Sequence, residues 1–215
     1  MKLIIKNSSI IIEKRTIVYK NYWDRTVTQY CFLRHIKSVL ESLTFSQIKG
    51  SLEFYIDTSL PVNHTSDSSI IESRGANMDY FILDTLVPTY KAGGGGTSSV
   101  TFNAISESGV YELEFDHTNG TVSFNGETKS IVQFSPNSYI KVLALFAYPA
   151  NSFDDAPTKV ATYTSIKFKR LRLYNSSNVA IADIRPALVN GNPCLYDSVN
   201  ESEIYSEDNT TMILS

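Results

Sequence analysis

From Ile166 to Leu173 apolar side chains (Ile166, Phe168, Leu171, Leu173) are interleaved with Lys167, Lys169, Arg170 and Arg172, with one slip of register. That pattern predicts a half-buried strand carrying a β-bulge. Tyr174 to Asn178 is a polar turn, and Val179 to Ile184 alternates again. Arg185-Pro186 is expected to stop the pairing, because proline has no N–H to donate. Asn190-Gly191-Asn192-Pro193 forms a second turn before Leu195-Tyr196-Asp197 and Ile204-Tyr205. A period of two, broken every few residues by turn chemistry, leaves antiparallel sheet as the only economical fold for this stretch.

The upstream chain reads the same way. Leu52 to Thr58 alternates, and Ile70-Ile71 and Tyr80 to Leu83 bracket a turn at residues 74–77. Val100 to Ile105, Val110 to Asp116 and Val122 to Asn125 make a meander with turns at Asn119-Gly120 and Asn125-Gly126, since Asn-Gly favours positive φ. Ile140 to Tyr148 is almost continuously apolar, as a central strand would be, and Val160 to Leu173 returns to strand after an acidic loop at residues 149–157. Leu3-Ile4-Ile5 and Ile10-Ile11-Ile12 predict two short strands around a turn. The helical exception is a stripe of Tyr30, Leu33, Ile36, Val39, Leu40 and Leu43, predicting a helix over 29–46 with Gly50 as its stop. The fold class is therefore all-β: two packed antiparallel sheets with one short N-terminal helix and N-terminal strands.

At 215 residues, 42% hydrophobic and 19% charged, the chain can bury a sizeable core. A net charge of -3, with basic residues concentrated only at Lys167 to Arg172, gives no electrostatic case for nucleic acid. The apolar run in residues 1–14 is too short and interrupted for a signal peptide or membrane span, so export by the usual route is not expected. Cys31 and Cys194 form no C-x-x-C pair and read as reduced packing residues.

The closing segment, with Ile184, Pro186, Leu195, Tyr196, Asp197, Val199, Asn200 and Tyr205 in that order, resembles the C-terminal part of LamG-like modules, which are concanavalin A-like lectin-glucanase jelly rolls. Phe54-Tyr55-Ile56-Asp57-Thr58-Ser59 resembles the family's opening Y-I-D-T-G strand, and Ile71 to Gly75 its G-S-R strand. The resemblance spans about residues 50 to 206 and departs at Cys194, where the pattern has glycine. It implies a jelly-roll sandwich of a kind common in bacterial surface and bacteriophage virion proteins. The expectation is a virion structural protein made in the host cytoplasm, a head or tail fibre, decoration or adhesin component. Residues 1–49 would then be an attachment and assembly region and 50–215 the displayed sandwich. Partners would be other virion proteins and further copies in a homo-oligomer, with a host-surface glycan as candidate ligand. The alternatives are a monomeric carbohydrate-binding lectin module and a diverged glycoside hydrolase.

Candidate sites are few. The related glucanases place E-x-D-x-x-E carboxylates on one strand; the nearest match, Glu112, Glu114 and Asp116, shares one face but not that spacing. Leu113 and Phe115 need the opposite face for the core, so the acids read as a solvated stripe and no catalytic residue is expected. Asp154 and Asp155 could supply oxygens to calcium but lack an Asp-x-Asp spacing, so no cofactor is assigned. His35, His64 and His117 are scattered and read as surface or helix residues, without metal-ligand spacing. Gly93 to Gly96 is followed by no Lys-Ser/Thr and is not a phosphate loop. Tyr90, Tyr148, Phe153 and Tyr163 lie in or near loops and are the candidate ligand-facing aromatics, since exposed rings stack on pyranose faces.

Overall fold

The computed structural model describes residues 2–6, 9–13, 15–24, 29–60, 70–75, 78–84, 86–93, 98–131, 139–148, 159–160 and 165–215, with backbone alone at 2–6, 9–13, 74–75, 78–80, 82–84, 93, 148 and 159–160. The strands are β1 Lys2–Lys6, β2 Ser9–Glu13, β3 Ile17–Tyr19, β4 Trp23–Asp24, β5 Cys31–Phe32, β6 Ile48–Ile56, β7 Ile71–Gly75, β8 Met78–Asp84, β9 Val87–Gly93 and β10 Ser98–Thr101. They continue as β11 Gly109–Asp116, β12 Thr121–Phe124, β13 Glu127–Ser130, β14 Ile140–Leu145, β15 Ala147–Tyr148, β16 Lys159–Val160, β17 Ile166–Asn175, β18 Ala180–Val189, β19 Asn192–Asp197 and β20 Ser202–Ile204. Among the described residues one α-helix, α1 Lys37–Glu41, is flanked by 3-10 turns at Arg34–Ile36 and Phe45–Gln47.

Two antiparallel sheets form the sandwich. The larger is ten-stranded, in the order β13-β12-β11-β6-β17-β18-β19-β20, with β3 added on β18 and β4 on β17. The smaller is six-stranded, β10-β9-β8-β7-β14-β5. Alternation explains the pairing of faces: Leu52, Phe54 and Ile56 of β6, Leu113 and Phe115 of β11 and Leu171 and Leu173 of β17 are all buried. They meet Phe81 and Tyr90 of the smaller sheet, with the Phe54 and Phe81 ring centroids 5.7 Å apart and Tyr90 stacked on Phe115 at 6.3 Å. The expected bulge in β17 falls between Phe168 and Arg170 in its pairing with β6, which turns Lys169 and Arg170 both outward. The Asn-Gly turns close with positive φ at Asn125, Gly126, Asn190 and Gly191.

The closing segment is tied by one carboxylate. Asp197 is fully buried and accepts hydrogen bonds from the Asp183 N–H (3.0 Å), the Val199 N–H (2.9 Å), the Asn200 side-chain amide (2.7 Å) and His35 Nε2 (2.8 Å). Burial raises its pKa, but His35, Asn200 and the two N–H groups outweigh that and hold the carboxyl below its ordinary value. Leu195 and Tyr196 are buried beside it.

Four expectations are corrected. The helix over 29–46 shrinks to one turn of α-helix between 3-10 turns, because Cys31 and Phe32 are recruited as an edge strand on β14. Leu33, Ile36 and Leu40 of the stripe are buried in the sandwich core, whereas Val39 is exposed. Gly50 stops no helix but sits inside β6: a Cβ there would lie 2.5 Å from the Phe115 ring and 2.7 Å from the Arg172 carbonyl oxygen. Pro186 does not end β18, which runs on to Val189. The N and C=O of one strand residue point to the same side. At Pro186 that side faces the corner between the last β17 pair, at Ile184, and the first β3 pair, at Ala187; its carbonyl there accepts the Lys20 N–H at 2.9 Å.

Nor does pairing break at residue 49. β3 and β4 fill the corner where β17 and β18 diverge, and β5 extends the smaller sheet, so these three strands are part of the sandwich. Only β1 and β2 form a separate two-stranded hairpin among the strands before β6.

Candidate functional site

The outer face of the larger sheet is built from the residues that alternate with the core set. Register lines them up in rows across the strands. Ser123, Glu114, Ser51 and Arg172 form one row across β12, β11, β6 and β17; Thr121, Asp116, Lys49 and Tyr174 form the next. The short Ser51 lies between the long Glu114 and Arg172, and the short Ser123 and Thr121 stand at the β12 end of the two rows. The result is a groove of about 360 Å³ floored by hydroxyls and backbone at Gly50 and rimmed by charge and one phenol ring.

Its charges are cross-linked. In a third row Glu112 stands directly opposite Glu53, a like-charge juxtaposition that would be destabilising alone. Arg172 resolves it by donating to Glu112 at 2.8 Å and Glu53 at 3.1 Å, while its Nε donates to the Ser51 hydroxyl at 3.0 Å and Lys169 reaches Glu53 at 2.9 Å. Asp116 accepts from the Asn119 N–H at 3.0 Å and amide at 2.8 Å and pairs with Lys49 at 3.2 Å. Burial raises the Asp116 pKa, but these Asn119 and Lys49 bonds prevail and leave the carboxyl below its ordinary value. Beyond the groove, Arg170 donates two parallel bonds of 2.8 Å to Asp183, which Arg185 also approaches at 3.2 Å. Burial works against them, yet the two guanidiniums lower Asp183 to about 2.

The acids predicted to share a face do so, with Leu113 and Phe115 on the core side. What alternation along one strand could not show is that Glu112 and Asp116 are held by cations from β17 and β6. A glycosidase acid needs its pKa raised toward neutrality; Asp116 is shifted the other way. Lys49, Ser51, Thr121, Ser123, Arg172 and Tyr174 were not singled out from the sequence. The available signal was their shared outward parity on four strands, which becomes a site only once register is known.

Tyr90 is corrected: it is 1% exposed, in the core, with its hydroxyl 2.7 Å from His117 Nε2. Phe153, Tyr163, Asp154, Asp155 and His64 lie outside the described residues, as does the side chain of Tyr148. His117 is not a surface residue either, being buried with Nδ1 3.0 Å from the Phe45 carbonyl, so that it links the β11–β12 turn to β9 and the 3-10 turn at 45–47. His35 lies in a 3-10 turn against Asp197. Cys194 and Cys31 are buried thiols; burial, with Glu203 nearby, pushes Cys194 up to about 12, far from a thiolate nucleophile. Among the described residues no group of three His, Cys, Asp or Glu could hold a metal ion, and no helix is long and apolar enough to cross a membrane. No family model and no curated protein matches the chain.

Proposed function

We propose that this chain is a non-catalytic β-sandwich module of a bacteriophage particle whose larger sheet presents a glycan-binding groove. The observation that carries the glycan reading is the groove itself. Hydroxyl side chains, paired donors and acceptors, and the Tyr174 ring line about 360 Å³ of open space, within the size range of small-molecule sites. Two cations, Lys49 and Arg172, and two acids, Glu114 and Asp116, line the groove, so the surface favours a neutral polyhydroxyl ligand over a strongly charged one. The hydrogen bonds and ion pairs on this face support a binding rather than a hydrolytic role, because Glu112 is tied to Arg172 and the Asp116 carboxyl is held below its ordinary value by Asn119 and Lys49. The viral setting rests on the resemblance of residues 50–206 to LamG-like modules.

Retention on immobilised bacterial surface polysaccharide tests the binding role. Wild type should be retained, Tyr174→Ala should lose about tenfold in affinity, equivalent to about 1.4 kcal/mol, and no reducing ends should be released. Polysaccharide cleavage that disappears in Glu112→Gln would replace binding with hydrolysis. Mass spectrometry of gradient-purified particles from an infected culture tests the setting; absence of the chain from them would remove the virion role.

A further inference from the structure

A second cleft lies where the chain leaves β20. Ile204 and Ser206 are buried, so alternation turns Tyr205 outward, where it is 49% exposed. Two hollows of about 310 and 300 Å³ lie against it, and both share Tyr205, Ser206 and Asn209 as a wall. Arg34 and His35 line the first, and Asn192, Pro193 and Thr210 the second.

The wall is fixed before any ligand arrives. The Tyr205 hydroxyl donates to Glu203 at 2.5 Å, and that bond, with burial, raises the phenol to about 12, so it stays a neutral donor. Asp208 accepts from the Ser206 hydroxyl at 2.5 Å and from the Thr210 N–H and hydroxyl at 3.1 and 2.8 Å, closing the turn around Asn209 at φ 58. Gln29, 1% exposed, donates to the Thr210 hydroxyl at 2.7 Å and accepts from the Trp23 indole at 2.9 Å, which anchors the turn to the core. Preorganisation of this kind lowers the ordering cost of binding.

The charges here are again compensated. Arg34 pairs with Glu207 at 3.0 Å and Arg15 with Glu203 at 3.3 Å, so the cleft offers hydrogen bonds without a strong field of either sign. An exposed ring, a proline and amide and hydroxyl groups on both sides suit a neutral ligand with one apolar face and many hydroxyls. We infer that this cleft is a second saccharide site, in which Tyr205 stacks against a neutral oligosaccharide of at least two units, one lodged in each hollow. The cleft is independent of the groove on β6, β11 and β17 and shares with it only the class of ligand.

The full chain is tested on an array of defined neutral oligosaccharides of one to six units, with calorimetry on the positive structures. Variants are Tyr205→Ala, Tyr205→Phe and Tyr174→Ala, each checked for unchanged thermal unfolding. Disaccharides and longer chains should bind, and Tyr205→Ala should lose about tenfold or more in affinity for them. Tyr205→Phe keeps the ring and should stay within about threefold, whatever Tyr174→Ala does. Binding lost in Tyr174→Ala and untouched in Tyr205→Ala would overturn the second site while leaving the groove standing. The reverse pattern removes the groove and keeps the cleft. A wild-type protein that binds no sugar on the array overturns both.

Discussion

The knot around Asp197 and the charged face of β6, β11 and β17 use carboxylates in opposite ways. Asp197 is wholly inside the protein, and most of its hydrogen bonds come from neutral N–H groups of its own turn and of β18. Glu53 and Glu112 stay at the surface and are held by the long cations Arg172 and Lys169, and Asp116, also at the surface, is shared between Asn119 and Lys49. A buried carboxylate with fixed donors cannot be released without leaving those donors unsatisfied. A surface carboxylate can exchange its cation for water or a ligand hydroxyl at small cost. The first arrangement holds the fold, and the second leaves polar groups available for recognition.

Substituting the buried acid should give the largest effect. Asp197→Ala leaves the Asp183 and Val199 N–H groups and His35 without their acceptor, and should cost about 3–5 kcal/mol, as broken buried pairs do. Chemical denaturation measures it; a loss below 1 kcal/mol would place Asp197 with the surface acids and erase the contrast. Removing the surface cation should do much less. Arg172→Met leaves Glu53 and Glu112 facing each other, and the expected cost is about 1 kcal/mol, shrinking in high salt as exposed charges are screened. A salt-independent cost of several kcal/mol would show that the outer face is structural after all.

The third test is a pH dependence set by Asp183, whose carboxyl is lowered to about 2. With its folded pKa below the unfolded value, Asp183 contributes stability that is complete above the ordinary Asp pKa near 4 and disappears as pH falls through about 2. The difference in Tm between wild type and Asp183→Asn should therefore be constant above pH 5 and narrow toward pH 2. A gap that widens on acidification would reverse the assigned sign.

Turn chemistry and strand parity are local, and they were legible. Asn125-Gly126 and Asn190-Gly191 needed positive φ and have it, and the slip between Phe168 and Arg170 is the bulge. The stretch from Tyr30 to Leu43 misleads because helical spacing is also met by a single turn whose Leu33, Ile36 and Leu40 drop into a core made by other strands. The groove needs the register of four strands at once, which one strand's pattern does not carry. Tyr205 sat in view within a run of Ser, Asn and Thr, but its two hollows depend on the turn built by Asp208.

The early strands also set a timetable. Cys31 and Phe32 pair with Leu145 and Ala144, Trp23 with Phe168 and Leu214, and Ile17 to Tyr19 with residues 187–189, separations on the order of a hundred residues or more. A chain growing from its N-terminus therefore exposes Trp23, Leu33 and Ile36 for most of its synthesis, with nothing to cover them until β14, β17 and β18 have emerged. Closure must wait for those strands, so until then the nascent protein carries aggregation-prone apolar surface at residues it will later bury completely.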